Sequence, residues 1–414
     1  METSILDLSW AVIPWVQPLG SKSPALCLPC EDEWRATVKF RIEREVLAEA
    51  VTWVARGLPA RPSSPVLAGV LIEADRAGTI TLSGFDYEVS ARVTVPADVD
   101  EPGTVLVMGR LLAEISRNLP PRPVEISTEG NKVGVTCGSS RFSLLQMPAA
   151  DYPTLPSSPE SSGSIEGDVF TQAVHQVAIA ADRGDTLPIL TGVRMQIDGD
   201  KVTLLATDRY RLAMRELSWH PGSSDAAYTA LIPARTLSDT AKALGASGSI
   251  ELALGRNAGG DGLIGFEAGQ RRATTRLLDG EYPKVTSIFP THVDIEAVME
   301  TGALIEAVKR VALVAERNTP VRLRFSDGQV AIEAGTGDDA QASEAVECAL
   351  TGDDIEIAFN PHYLLDGLGV LGTAYTRMSF TQPGRPAVIA GQAEQDGEPN
   401  LAYRYVLMPV RFAS

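Results

Sequence analysis

The residues able to do chemistry are few and widely separated. Asp86, Asp208 and Glu281 are carboxylates at polar turns that follow apolar runs. Carboxylates act as acid–base pairs or metal ligands only when folded to within a few ångströms of one another. These three recur at corresponding turns along the chain, and that pattern points to turn capping. The four histidines, His175, His220, His292 and His362, have no ligand spacing. Cys27 and Cys30 form a CxxC pair, but no second pair completes a zinc site and no βαβ pattern follows for redox work. No glycine-rich phosphate cradle occurs either. The expectation is a chain with no catalytic residues, no metal and no cofactor.

The elements that position these residues come from a chain of 414 residues, long enough for two to four cores. With 44% hydrophobic and 21% charged residues, and no apolar run long enough to span a membrane, it reads as a globular protein. The net charge of -17 argues against holding nucleic acid by a basic surface, because phosphate contacts need Lys and Arg. Four scattered cysteines, Cys27, Cys30, Cys137 and Cys348, fit a reducing cytoplasm. Residues 1–36 carry Glu2 and Asp7 where an export signal would be basic. They have no counterpart elsewhere in the chain, and the expectation is a poorly ordered appended tail or an upstream start codon.

The rest reads as three divergent copies of one pattern. Each copy opens on a one-faced helical stripe: Val46, Leu47, Ala50, Val51 and Val54; Val169, Phe170, Ala173, Val174 and Val177; Leu304, Ile305, Val308, Val311 and Ala312. Paired strand-like runs follow at 80–93, 202–217 and 330–346, with Asp86 and Asp208 matched and a weaker Gly-Asp-Asp in the third copy. A strand leading into a second helix then recurs at 103–119, 228–244 and 355–371. The first two copies close alike, RFSLLQMPAADYPTLP (141–156) against RATTRLLDGEYPKVTSIFP (272–290), and the third ends in YRYVLMPVRF (403–412). Turn-rich stretches at 155–164 and near Pro290 place the boundaries at 37–156, 157–290 and 291–414. The fold class is α+β: three similar domains, each with two helices packed on antiparallel sheets.

From about Val38 onward the sequence resembles the β subunit of bacterial DNA polymerase III, the β sliding clamps. The resemblance rests on LPARPSSPVLAGVLIE (58–73), SGFDYEVS (83–90), TLPILTGV (186–193), ATDRYRLA (206–213), LIPARTL (231–237), FNPHYLLDGL (359–368) and VLMPVRF (406–412). Their wording is similar to that of actinobacterial members. The resemblance implies the DNA clamp fold and a head-to-tail homodimeric ring around duplex DNA. It also implies a non-enzymatic processivity role and partners that include DNA polymerase III, the clamp loader and repair polymerases. A ring holds DNA topologically, which reconciles the function with an acidic chain.

The same resemblance assigns sites. A hydrophobic pocket for partner peptides would use Leu190, Thr207, Arg211, Leu212, Pro290, Val406, Met408, Pro409 and Arg411, with Asn360, Tyr363 and Pro386 as its outer part. Arg209 and Tyr210 differ from other members, so partner preference is expected to differ. The alternative for Leu190, Leu212 and Met408 is plain core. Phe142 and Leu144 would meet Leu313 across the dimer, the alternative again being core. Candidates to face DNA are Arg61, Arg110, Arg117, Arg183, Arg235, Lys242, Lys309, Arg310 and Arg317, each of which could equally be a solvated charge. Two further readings stay open: a specialised second clamp copy, for example one conferring resistance to a clamp-binding inhibitor, and a clamp-like scaffold that no longer encircles DNA.

Overall fold

The computed structural model describes residues 37–410, apart from 185, 225, 246–247, 256–261, 316–318 and 336–339. All of these belong to the compact unit Thr37–Ser414. The tail with Cys27 and Cys30, the third Gly-Asp-Asp turn, Arg317 and Arg411 lie outside the described residues.

The threefold pattern reappears as a threefold order of elements. Each repeat runs strand, helix, hairpin strands, second helix and three closing strands. The first helices are α1 (Arg44–Arg56), α3 (Gly167–Ala178) and α5 (Thr301–Val311), and the second are α2 (Gly109–Asn118), α4 (Ala234–Leu244) and α6 (Pro361–Gly369). The helices pack pairwise, α1 on α2, α3 on α4 and α5 on α6. The stripes bury as their 3.6-residue period requires: Leu47, Ala50, Val51 and Val54; Phe170, Ala173, Val174 and Val177; Leu304, Ala307, Val308 and Val311. Val46, Val169 and Ile305 sit at the stripe edges and are half-buried.

The sheets do not respect the repeats. The closing strand of the second repeat, Arg271–Arg276, pairs antiparallel with Val89–Pro96 of the first, Ala273 facing Ala91. The closing strand of the third, Asn400–Leu407, pairs the same way with Arg211–Ser218 of the second, Tyr405 facing Ala213. The strands therefore merge into sheets of five, nine and twelve, and the two larger ones each cross a seam between repeats. Ser90 and Thr274 share a buried 2.6 Å hydrogen bond across the first seam.

Asp86 and Asp208 cap tight turns. The Oδ1 of Asp86 accepts from the amides of Glu88 and Val89 at 3.0 and 2.6 Å, and that of Asp208 from Tyr210 and Arg211, both at 3.0 Å. Each turn holds a non-glycine residue in the left-handed region, Tyr87 at φ 74° and Arg209 at φ 78°. That conformation costs about 1–2 kcal/mol, which the aspartate's hydrogen bonds offset.

Candidate functional site

At the second seam, side chains of the second and third repeats build an apolar cluster separate from the main core. Leu190, Leu205, Leu212, Met214, Leu231, Tyr282 and Val285 come from the second repeat, and Val406 from the closing strand of the third. Leu187, Ile189, Leu278, Ile288, Phe289 and Val388 lie half-buried around it. Leu190 is delivered by the 3₁₀ turn Pro188–Thr191, and Leu212 and Val406 face one another across the paired strands. A cleft of about 360 Å³ opens beside the cluster, lined by Gln196, Met214, Phe289 and Arg404 among others. The Arg404 guanidinium lies 4.8 Å from the Phe289 ring centroid, a cation–π contact.

A polar lock borders the cluster. Arg211 is buried, its Nε donating to Asp208 at 2.9 Å and its Nη1 to Asp366 on α6 at 2.7 Å. Its guanidinium lies 4.4 Å from the Tyr363 ring centroid, and Tyr363 stacks on the half-exposed Tyr210 at 6.2 Å. Thr207 accepts the turn amide of Arg209 and donates to the Arg211 carbonyl, while its own amide donates to the Tyr282 hydroxyl at 3.0 Å. Burial pushes the Tyr282 phenol well above its usual range. The amide of Met408 donates to the carbonyl of Tyr210 at 2.9 Å, and that of Val410 to Ala358 at 2.8 Å, so the terminal segment is tied across both repeats.

Of the pocket residues read from sequence, Leu190, Leu212 and Val406 lie in the cluster, and Thr207, Arg209, Tyr210, Arg211, Tyr363 and Met408 are linked beside it by hydrogen bonds and ring contacts. Pro290, Pro386 and Pro409 are half-buried. Asn360 is half-buried and committed to capping α6, its Oδ1 accepting from His362 and Tyr363. Sequence reasoning missed Asp366, the second anchor of Arg211, and the rim residues Ile288 and Phe289. Their signal was present in FNPHYLLDGL and SIFP, but nothing in the spacing says which carboxylate or ring points at the seam.

At the seam between repeats one and two the equivalent cluster is built differently. Phe85 stands where the second repeat has Thr207, and it packs with Val66, Leu67, Leu106 and Tyr152. Ser90 and Thr274 replace the facing pair Leu212 and Val406. The first-seam cluster fills itself with its own aromatic rings.

Of the basic residues, Arg61, Arg110, Arg117, Arg183, Arg235, Lys242, Lys309 and Arg310 are all exposed. Arg110 and Arg235 come together with Arg56, not singled out from sequence, around a cleft of about 360 Å³ between α1, α2 and α4. Lys309 and Arg310 are not free charges: Lys309 pairs with Glu306 at 2.8 Å and Arg310 with Glu344. Phe142 and Leu313 are exposed, Leu313 at 84%, but Leu144 is buried in the core of its own repeat. That corrects the expected contact. Strand alternation sends Leu144 inward, and its neighbour Leu145, 66% exposed, is the residue left outside. Among the described residues no cluster of ligating side chains could hold a metal, and no helix is long and apolar enough to cross a membrane.

Family profiles of the DNA polymerase III beta subunit match in chain order: the N-terminal domain at residues 38–156, the central domain at 164–284 and the C-terminal domain at 286–411. A beta sliding clamp of Streptomyces coelicolor is 57% identical over 376 residues, 91% of this chain and all of that protein. The chain belongs to the bacterial β sliding clamp family. A beta sliding clamp homolog GriR of Streptomyces muensis is 47% identical over 91% of this chain and all of its own length. Among solved structures, the Bacillus subtilis sliding clamp superposes with a TM-score of 0.83 at 27% identity, over 91% of this chain and all of that one. A Pseudomonas aeruginosa sliding clamp bound to griselimycin gives 0.82 at 30%, with the same coverage. This β clamp sequence is of the actinobacterial type, and its fold is three clamp domains of mixed helices and antiparallel sheets.

Proposed function

We propose that two copies of this chain close head to tail into a ring around duplex DNA and tether polymerases to it. One observation carries the reading: the joint used at both internal seams leaves its two halves free at the ends. Among the described residues the closing strand of the first repeat, Ser140–Leu145, pairs only with Lys132–Cys137. In the third repeat the strand corresponding to Val89–Pro96 and Arg211–Ser218 is Ala342–Thr351, whose first half, among the described residues, pairs only with Gly328–Ala334. A heterologous contact of this kind closes a ring when the rotation fits.

The repeat also fixes the register. Val93, Arg215 and Glu344 hold one position, opposite Leu82, Leu204 and Ile332 in their hairpins. Val93 faces Arg271 and Arg215 faces Tyr403 at the internal seams. The third joint then sets Ser140 opposite Glu344 and Phe142 opposite Ala342. Helix positions agree: Trp53 meets Arg271, Gln176 accepts from the Tyr403 hydroxyl, and the third equivalent is Arg310, already on Glu344. Arg310 therefore belongs to the dimer joint, with Leu313 beyond it, and leaves Arg61, Arg110, Arg117, Arg183, Arg235, Lys242 and Lys309 as the residues facing DNA.

The domains follow the boundaries 37–156, 157–290 and 291–414. Short linear peptides of DNA polymerase III, the clamp loader and repair polymerases dock at the second-seam pocket, their apolar side chains against Ile288, Phe289, Val388 and Met408. The protein works in the cytoplasm without catalysing a reaction, consistent with Asp86 and Asp208 being spent on turns. The replicative role is favoured over a specialised second copy by 57% identity to the Streptomyces coelicolor clamp against 47% to GriR.

The test joins the register to the function. A Phe142→Cys/Ala342→Cys variant, in a background lacking Cys27 and Cys30, is expected to form a covalent dimer on oxidation, whereas either single variant is not. Loaded onto nicked circular plasmid and then oxidised, it should stay bound until the plasmid is linearised. No cross-link with a monomeric protein in solution would end the ring reading, and retention on linear DNA would contradict encirclement.

A further inference from the structure

The second seam carries a small polar cavity of about 120 Å³, lined by Gln172 and Gln176 of α3, Arg215, Gly372, Thr373, Asn400 and Tyr403 among others. Two of its lining residues carry a polar atom buried without a hydrogen-bond partner: Nε of Arg215 and Oε1 of Gln176. Gln176 is only 2% exposed, and its Nε2 is held by the Val370 carbonyl at 3.1 Å, which orients the lone oxygen. Buried donors and acceptors left unmatched cost about 1–3 kcal/mol each, so such a pair marks a missing third party.

The internal repeat says what is missing. At the first seam the corresponding place is occupied by an ion pair: Glu49 of α1 holds Arg271, whose guanidinium also lies 5.6 Å from the Trp53 ring centroid. At the second seam Gln172 stands where Glu49 does, Gln176 where Trp53 does, and Tyr403 where Arg271 does. The cation now comes from the facing strand, since Arg215 occupies the position of Val93. The carboxylate has gone and a cation remains, with no carboxylate paired to it among the described residues.

The geometry points to a phosphate-type oxyanion that retains a proton, bound in this cavity as the counter-ion of Arg215 and joining the second repeat to the third. Its oxygens accept from the Arg215 guanidinium, and its remaining hydroxyl donates to Gln176 Oε1. A fully deprotonated oxyanion satisfies the first atom but sets lone pair against lone pair at the second. Water matches both atoms and leaves the charge unbalanced. The site lies on the helix side of the strands that form the peptide pocket, so occupancy would stiffen the seam on which the pocket rests.

Inorganic phosphate is the probe, tested on the full chain against chloride at matched ionic strength. At about ten times its Kd it is expected to raise the melting temperature by about 2 °C, with one site per chain by isothermal titration calorimetry. Sulfate, which carries no proton at neutral pH, should give less than half that shift. Arg215→Gln should abolish the phosphate effect. Gln172→Glu restores the first seam's carboxylate at an exposed helix position, so it should raise the melting temperature without phosphate and remove the response to it. Equal shifts with sulfate and phosphate would reduce the effect to preferential exclusion of salt. A shift that survives Arg215→Gln, or none in the parent, would leave water as the occupant and overturn the assignment.

Discussion

Arg211 is the residue on which the second seam turns. Its guanidinium is buried between a carboxylate of its own turn, Asp208, and one of the neighbouring repeat, Asp366. Removing one member of a buried pair leaves an uncompensated charge, at a cost of about 3–5 kcal/mol. Arg211→Met should therefore lower stability by about 3 kcal/mol in chemical denaturation, the low end because Asp366 is partly exposed. Adding Asp366→Asn should restore a measurable fraction; complete additivity of the two changes would show that the pair is not coupled. Buried phenols and thiols set the alkaline limit. Burial pushes Tyr152 up to about 12 and Cys348 up to about 11. Both groups hold their protons in the folded state after the unfolded chain has lost them. Their contribution is thus present below the ordinary pKa values of about 10 and 9 and is lost as pH rises towards 12 and 11. Denaturation midpoints should fall steadily from about pH 9 upward, and a flat profile to pH 12 would contradict this.

At the scale of elements, the terminal segment acts as a brace. It is tied to Tyr210 through Met408 and to Ala358 through Val410. Deleting residues 408–414 should weaken binding of a fluorescent partner peptide at least about tenfold, equivalent to 1.4 kcal/mol, while dimerisation by light scattering is unchanged. Loss of both together would show that the segment serves the fold and not the pocket. Much at this scale was legible in the sequence: the helical stripes, the matched aspartate turns and the order of elements follow from local periodicity and turn chemistry. What escaped was orientation. RFSL marks a strand, yet only the folded sheet decides that Leu144 turns inward while Phe142 and Leu145 stay out. Arg310 reads as a free charge until the fold brings Glu344 to it. Asn360, read as part of the pocket, is a helix cap. The partner of Arg310 is distant in sequence and the direction of Leu144 is set by the sheet, whereas the Lys309–Glu306 pair and the Asn360 cap are local and follow from spacing.

For the whole molecule, the charge of -17 separates encirclement from adhesion. A protein making 6–10 phosphate contacts loses about 10³–10⁵ in affinity between about 50 and 200 mM salt. The dwell time of the proposed closed dimer on circular DNA should change by less than about tenfold over that range, because escape from it requires opening a protein joint. A steep salt dependence would indicate ordinary binding through the exposed arginines. Leu313→Asp, which places a charge at an apolar side chain 84% exposed, should yield monomers that do not stay on circles.

The strand joint between repeats also carries a mechanical meaning. At two of its three occurrences per chain the polypeptide itself runs across the joint, so a momentary rupture there is undone by the tether. At the third, in the proposed dimer, no tether crosses it: only the strand edges and side chains such as Phe142 and Leu313 hold it, and separation is final. Six nearly alike joints then contain two that can act as doors, placed on opposite sides, and a machine that must admit DNA needs to find only those.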